Sequence, residues 1–86
     1  MPENCRFFGI IITMYYDDHA PPHFHVRYGA KRDRFTIEPL AMLDGEIGPK
    51  TRALVIDWGS MHAEELRKEW SLARARSPLF KIAPLE

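Results

Sequence analysis

Asp17-Asp18-His19-Ala20-Pro21-Pro22-His23-Phe24-His25-Val26-Arg27-Tyr28 is the stretch from which the fold can be read. It holds three of the four histidines in the chain, and two adjacent prolines divide it. Proline locks φ near −65°, has no N–H to give to a ladder, and pushes the residue before it toward extended backbone. The Ala20-Pro21-Pro22 segment is therefore a stiff, non-helical connector. From His23 onward the residues alternate as a strand does. A period of two puts His23, His25 and Arg27 on one face and Phe24, Val26 and Tyr28 on the other.

Toward the N-terminus, Arg6 to Tyr16 is aromatic and β-branched, a composition that suits a pleated surface, and it reads as one long strand. Gly9 within it marks a bulge or a close backbone approach. Toward the C-terminus, Gly29 to Asp33 reads as a polar hairpin connection and Arg34 to Glu38 as a third strand. Pro39 stops that strand, and Leu40 to Leu43 is a candidate fourth before the turn signal Asp44-Gly45. Gly48-Pro49 then opens a helix, because proline is tolerated where the first N–H groups have no partner anyway.

From Lys50 to Arg76 the period becomes helical. Val55, Trp58 or Gly59, His62, Leu66, Trp70 and Ala73 follow at spacings of three and four, one continuous apolar stripe. Glu64 and Lys68 add an acid-before-base pair at i,i+4. The pattern predicts one long helix with its weak point at Gly59-Ser60, where a break into two helices is the alternative. Ser77-Pro78 ends it. Leu79 to Leu85 is an extended apolar tail that should dock on the domain or on a second copy of it, which makes a homo-oligomer a candidate state. The expected fold class is α+β: an antiparallel three- to four-stranded meander packed against a long C-terminal helix, as a single domain over residues 1–86.

Composition narrows the function classes. Twelve Lys and Arg balance twelve Asp and Glu, so there is no global field for steering nucleic acid, and RNA binding would rest on a local patch. The single cysteine, Cys5, excludes an intramolecular disulfide and argues against a cysteine-based zinc module. No apolar run reaches membrane-spanning length, and no signal peptide is legible. A soluble, cytoplasmic protein is expected.

The chemistry-bearing residues are the histidine segment. His19, His23 and His25, with Asp18 as an oxygen ligand and Asp17 beside it, could hold a divalent transition metal. The same imidazoles could act as general acid and base, with His23 and His25 catalytic and Arg27 or Arg34 neutralising a phosphate, in the manner of a small metal-free ribonuclease. The bland alternative is that the histidines bond backbone groups freed by the prolines. His62, on the apolar stripe, is expected to approach the histidine turn. As a residue type it is more often a satisfied half-buried histidine than a ligand. Trp58 and Trp70 read as core anchors.

The arrangement Arg6-Phe7-Phe8-Gly9-Ile10, then Asp18-His19 through Pro21-Pro22-His23-Phe24-His25, then Trp58, His62, Glu65-Leu66, Trp70 and the closing Leu79, Lys81-Ile82 and Pro84-Leu85 resembles the small bacterial family called Domain of Unknown Function 4160. The resemblance covers nearly the whole chain and carries no established activity. It implies a context: a gene beside another small gene, in a layout like toxin and antitoxin pairs. The expected function is then an interaction module whose partner is the neighbouring gene's small protein, with a metal-dependent or histidine-based ribonuclease as the alternative. Asp17, where the family commonly has asparagine, and Gly59-Ser60, where it has helix formers, depart from the pattern.

Overall fold

A computed structural model describes residues 3–16 and 18–85. Five strands form one antiparallel sheet in chain order: β1 (Glu3–Phe7), β2 (Ile10–Thr13), β3 (His23–Tyr28), β4 (Lys31–Thr36) and β5 (Ala41–Gly45). Two helices follow, α1 (Pro49–Met61) and α2 (Ala63–Arg74). The α+β class and the meander hold, but the sheet has five strands, not three or four.

The extra strand comes from the apolar run at the start. It folds back on itself at Phe8-Gly9, pairing Phe7 with Ile10, so the single long strand expected there is a hairpin. Both turn residues have positive φ, 49° and 79°, the two-residue geometry that matches strand twist. Phenylalanine seldom adopts it, so the usual Asn-Gly or Asp-Gly signal was absent. A second correction concerns the β3–β4 connection. It is the pair Gly29-Ala30 alone, with Tyr28 opposite Lys31, and Lys31, Arg32 and Asp33 belong to the strand. Strand β5 likewise runs through Asp44-Gly45, which is not a turn.

One face of the sheet carries Phe7, Ile10, Ile12, Phe24, Val26 and Phe35 into a core shared with Val55, Trp58, Leu66, Trp70 and Ala73 of the helices. Trp58 is fully buried, its ring 5.6 Å from Phe7 and 5.9 Å from Phe24. The stripe of three- and four-residue spacings is therefore the buried face, as the sequence pattern indicates. The single long helix is not observed. Its 27 residues would be about 40 Å long, whereas the longest extent of the described chain is 33 Å. The helix breaks at His62 (φ −122°, ψ 25°). Gly59 is passed without interruption because it serves packing: a Cβ there would lie 2.9 Å from Leu40 Cδ2.

The tail docks on its own chain. Ile82 is buried and its N–H donates to Asn4 O at 2.9 Å, while Trp58 Nε1–H donates to Ala83 O at 2.8 Å. The β1–β2 register shifts between Glu3 and Cys5, leaving Asn4 as the extra, unpaired residue. Such a bulge re-aims a side chain. Buried Asn4 donates through Nδ2 to Glu69 Oε2 at 2.6 Å, and Glu69 Oε1 accepts the Phe80 N–H at 2.7 Å. One carboxylate thus clasps strand, helix and tail together.

Candidate metal centre

The site forms where the connector re-enters the sheet as β3. The Ala20–Pro21 bond is cis, and His23 is 3% exposed between the rings of His25 and Trp70, at 5.2 and 5.3 Å. His23 Nδ1 lies 2.7 Å from the Pro21 carbonyl oxygen. A carbonyl oxygen only accepts, so Nδ1 carries the hydrogen and donates it. In the neutral ring, Nε2 then holds a lone pair, and it lies 3.3 Å from Asp18 Oδ2. That is acceptor against acceptor at contact distance. The same carboxylate oxygen lies 2.8 Å from His25 Nε2.

Three ligand-type atoms, from Asp18, His23 and His25, lie within 4.8 Å of one another. For metal–ligand bonds of about 2.0–2.1 Å in a tetrahedron, neighbouring ligand atoms sit about 3.3 Å apart; of the edges from Asp18 Oδ2, that to His23 is 3.3 Å and that to His25 is 2.8 Å, a hydrogen-bond distance. The bond from His23 Nδ1–H to a backbone carbonyl is the outer-shell support that sets the tautomer of a ligating histidine. Three protein ligands leave a fourth position open, as in hydrolytic zinc sites. Tyr15 packs edge-on to His25 at 4.5 Å, and both line a groove of about 290 Å³ on the sheet face turned away from the helices.

The structure sorts the expected residues. Asp18, His23 and His25 come together; His19 is exposed and stands outside the group. Asp17 lies outside the described residues. Arg27 lines the groove on the same face as His25. His62 is partnered at the helix break, its Nδ1 2.6 Å from Glu65 Oε1 and its ring 5.5 Å from Trp58, and it is no member of the ligand group. His23, which the strand period puts on one face with His25 and Arg27, is the buried member of the three, because Trp70 of α2 closes over the end of β3.

Two buried carboxylates went unread in the sequence. Glu69 follows Leu66 by three residues on the apolar stripe, and that spacing was the available signal. Burial pushes its carboxyl above the ordinary range, opposed by the bonds from Phe80 N–H and Asn4. Asp33, 2% exposed, accepts the N–H groups of Glu46 and Ile47 through Oδ1 at 2.6 and 3.0 Å. Its Cγ lies 2.0 Å from where a Gly45 Cβ would stand, so only glycine fits there. Reading the hairpin as two residues long would have put Asp33 inward, in phase with Phe35 and Ile37.

Fold and site together define a small α+β domain that presents a carboxylate and two histidines at the head of a central strand. The pattern of the family described as "Domain of unknown function (DUF4160)" matches residues 9–71. The chain belongs to that family. The match contains Asp18, His23, His25, Arg27 and His62, and it stops short of the tail. No curated protein and no solved structure matches the chain. Among the described residues, no helix is long and apolar enough to cross a membrane.

Proposed function

We propose that Asp18, His23 and His25 bind a divalent transition metal and that the chain is a small metal-dependent hydrolase. Of the two ribonucleases expected as alternatives, the metal-dependent one is a member of that class and the histidine-based one is not. The supporting observation is the contact between His23 Nε2 and Asp18 Oδ2, which in the neutral ring are two acceptors 3.3 Å apart, with His23 Nδ1–H donating to Pro21 O. A proton on His23 Nε2 would make the contact an ion pair, whereas a metal ion would be ligated by all three atoms at once. When bound, such an ion polarises a carbonyl or phosphoryl oxygen and makes water a better nucleophile near neutral pH. Tyr15 holds the His25 ring edge-on, and Trp70 holds that of His23, so the protein's part is orientation.

Equilibrium dialysis against zinc, manganese and nickel, followed by elemental analysis, tests this. One ion per chain is expected in the wild type, with at least tenfold weaker retention in Asp18→Asn and in His25→Ala. Equal retention by wild type and both variants removes the site from consideration.

The reading as an interaction module, one half of a two-gene pair, has its own support. Phe8 is 60% and Tyr28 43% exposed, and both lie around the Gly9 turn, where a Cβ would be 3.4 Å from the Tyr28 ring. Exposed aromatics so placed suit a protein partner. Co-expression with the neighbouring gene product should then give a complex that Phe8→Ser disrupts.

A further inference from the structure

We propose that the groove beside the metal centre is a phosphodiester subsite for single-stranded nucleic acid, clamped by Arg27 and Arg32. Only the view that this backbone is presented for hydrolysis rests on the metal-dependent reading above; the clamp stands on different residues.

The observation is a cross-strand pair of like charge. Arg27 of β3 and Arg32 of β4 are directly opposite in the antiparallel register, and both are exposed and line the groove. Like charges placed directly opposite destabilise a sheet. Elsewhere on this face the guanidinium groups are matched: Arg6 donates to Glu3 at 2.8 Å, and Arg34 donates to Asp44. Arg27 and Arg32 make no ion pair among the described residues. Two carboxylates also line the groove, and neither is ion-paired with these arginines: Glu3 is engaged by Arg6 and feels the Arg27 charge only at longer range, and Asp33 is turned to the backbone N–H groups of Glu46 and Ile47. Two forked donors that face each other with no carboxylate in ion-pair contact form a seat for a shared anion. Guanidinium geometry suits phosphate oxygens bidentately.

Position decides which phosphate. His25 and Arg27 share a face two residues apart on β3, about 6.6 Å along the strand. An anion at the arginines is thus a near neighbour of the carboxylate–histidine group. The groove is open and crosses strands, and Tyr15 offers a ring at its histidine end. A cationic track beside an aromatic ring is the arrangement that follows a single-stranded backbone. A zero net charge confines the attraction to this patch.

Fluorescence anisotropy with ten-nucleotide single-stranded RNA and DNA tests the clamp, comparing wild type, Arg27→Gln/Arg32→Gln and a charge-matched control, Lys50→Gln/Arg74→Gln, each with EDTA and with zinc. Wild type should bind in both conditions. The groove variant should bind at least tenfold more weakly at low salt, and its log–log salt slope should be shallower by about 1.4, two phosphates at about 0.7 each. Its melting midpoint should match or exceed that of the wild type, since the like-charge pair is relieved. RNA and DNA arms show which backbone is preferred, and either supports the clamp. The proposal is overturned if wild type binds neither, if the control loses as much as the groove variant, if EDTA abolishes binding, or if poly-glutamate competes as well as the oligonucleotide, which would point to an acidic protein. Failure of metal retention with the arginine effect intact removes the hydrolase and leaves the clamp.

Discussion

Asp18 and Glu69 are both carboxylates that gather groups distant in sequence, and they do so in opposite ways. Glu69 is fully buried, and each of its oxygens receives a neutral N–H, one from Asn4 and one from Phe80. Asp18 is partly exposed and turns a single oxygen toward two imidazole nitrogens, one of which has no hydrogen to give when its ring is neutral. The first is satisfied within the protein and holds the tail in place. The second, in the proposed reading, is completed by an ion from outside. On that reading the mark of the site is the mismatch of donors and acceptors around a neutral His23 and not the burial of a carboxylate.

The largest effect should come from Glu69→Ala. It strands the buried Asn4 amide and the half-buried Phe80 N–H, each costing about 1–3 kcal/mol, with Phe80 at the low end. Urea unfolding should show a loss of about 3 kcal/mol or more, and an unchanged midpoint would mean that the clasp is ornamental. Next, a metal that binds only the folded chain stabilises it by about 2.7 kcal/mol at a hundred times its dissociation constant. For a domain of this size that is a rise in Tm of about 10–20 °C. The rise should vanish in Asp18→Asn, and its persistence there would place the ion elsewhere.

Without metal, Asp18→Asn itself should cost less than about 1 kcal/mol, since a single partly exposed hydrogen bond is at stake. A larger loss in thermal melts would make Asp18 a structural clasp like Glu69 and erase the contrast. Glu69→Gln should have the smallest effect, within about 0.5 kcal/mol near pH 5, because Asn4 Oδ1 is buried without a partner and can accept from the new amide once the Asn4 group turns over. Its pH dependence sharpens the comparison. A carboxyl held above its ordinary range contributes stability that is complete at low pH and lost as pH rises through the folded-state value. The Glu69→Gln variant should therefore gain on the wild type over the window from the ordinary carboxylate range upward. A flat difference across that window would show that Glu69 is not penalised by burial.

Much of this was legible in the chain. The alternation of His23 to Tyr28, the helical stripe from Val55 to Ala73, the Gly48-Pro49 helix start and the apolar tail are local patterns, and each follows from a period of 2 or 3.6 or from the chemistry of proline. The candidate ligands Asp18, His23 and His25 were visible for the same reason, since they fall within eight residues. Other features were decided only by tertiary structure. Phe8-Gly9 turns back because β2 must bury Ile10 and Ile12 beside β1, which outweighs the poor fit of phenylalanine to positive φ. The helix breaks at His62 because the domain is shorter than an unbroken helix would be. His19 is left out of the metal group although it lies next to Asp18, and His23 is buried because Trp70, far away in sequence, covers it. Arg27 is legible beside the histidines, but Arg32 is unremarkable in one dimension, and the two become a pair only when the register sets them opposite each other. Local periodicity is written into neighbouring residues. Which donors and acceptors meet depends on strand register and helix placement, and those are settled by burying the whole apolar surface at once.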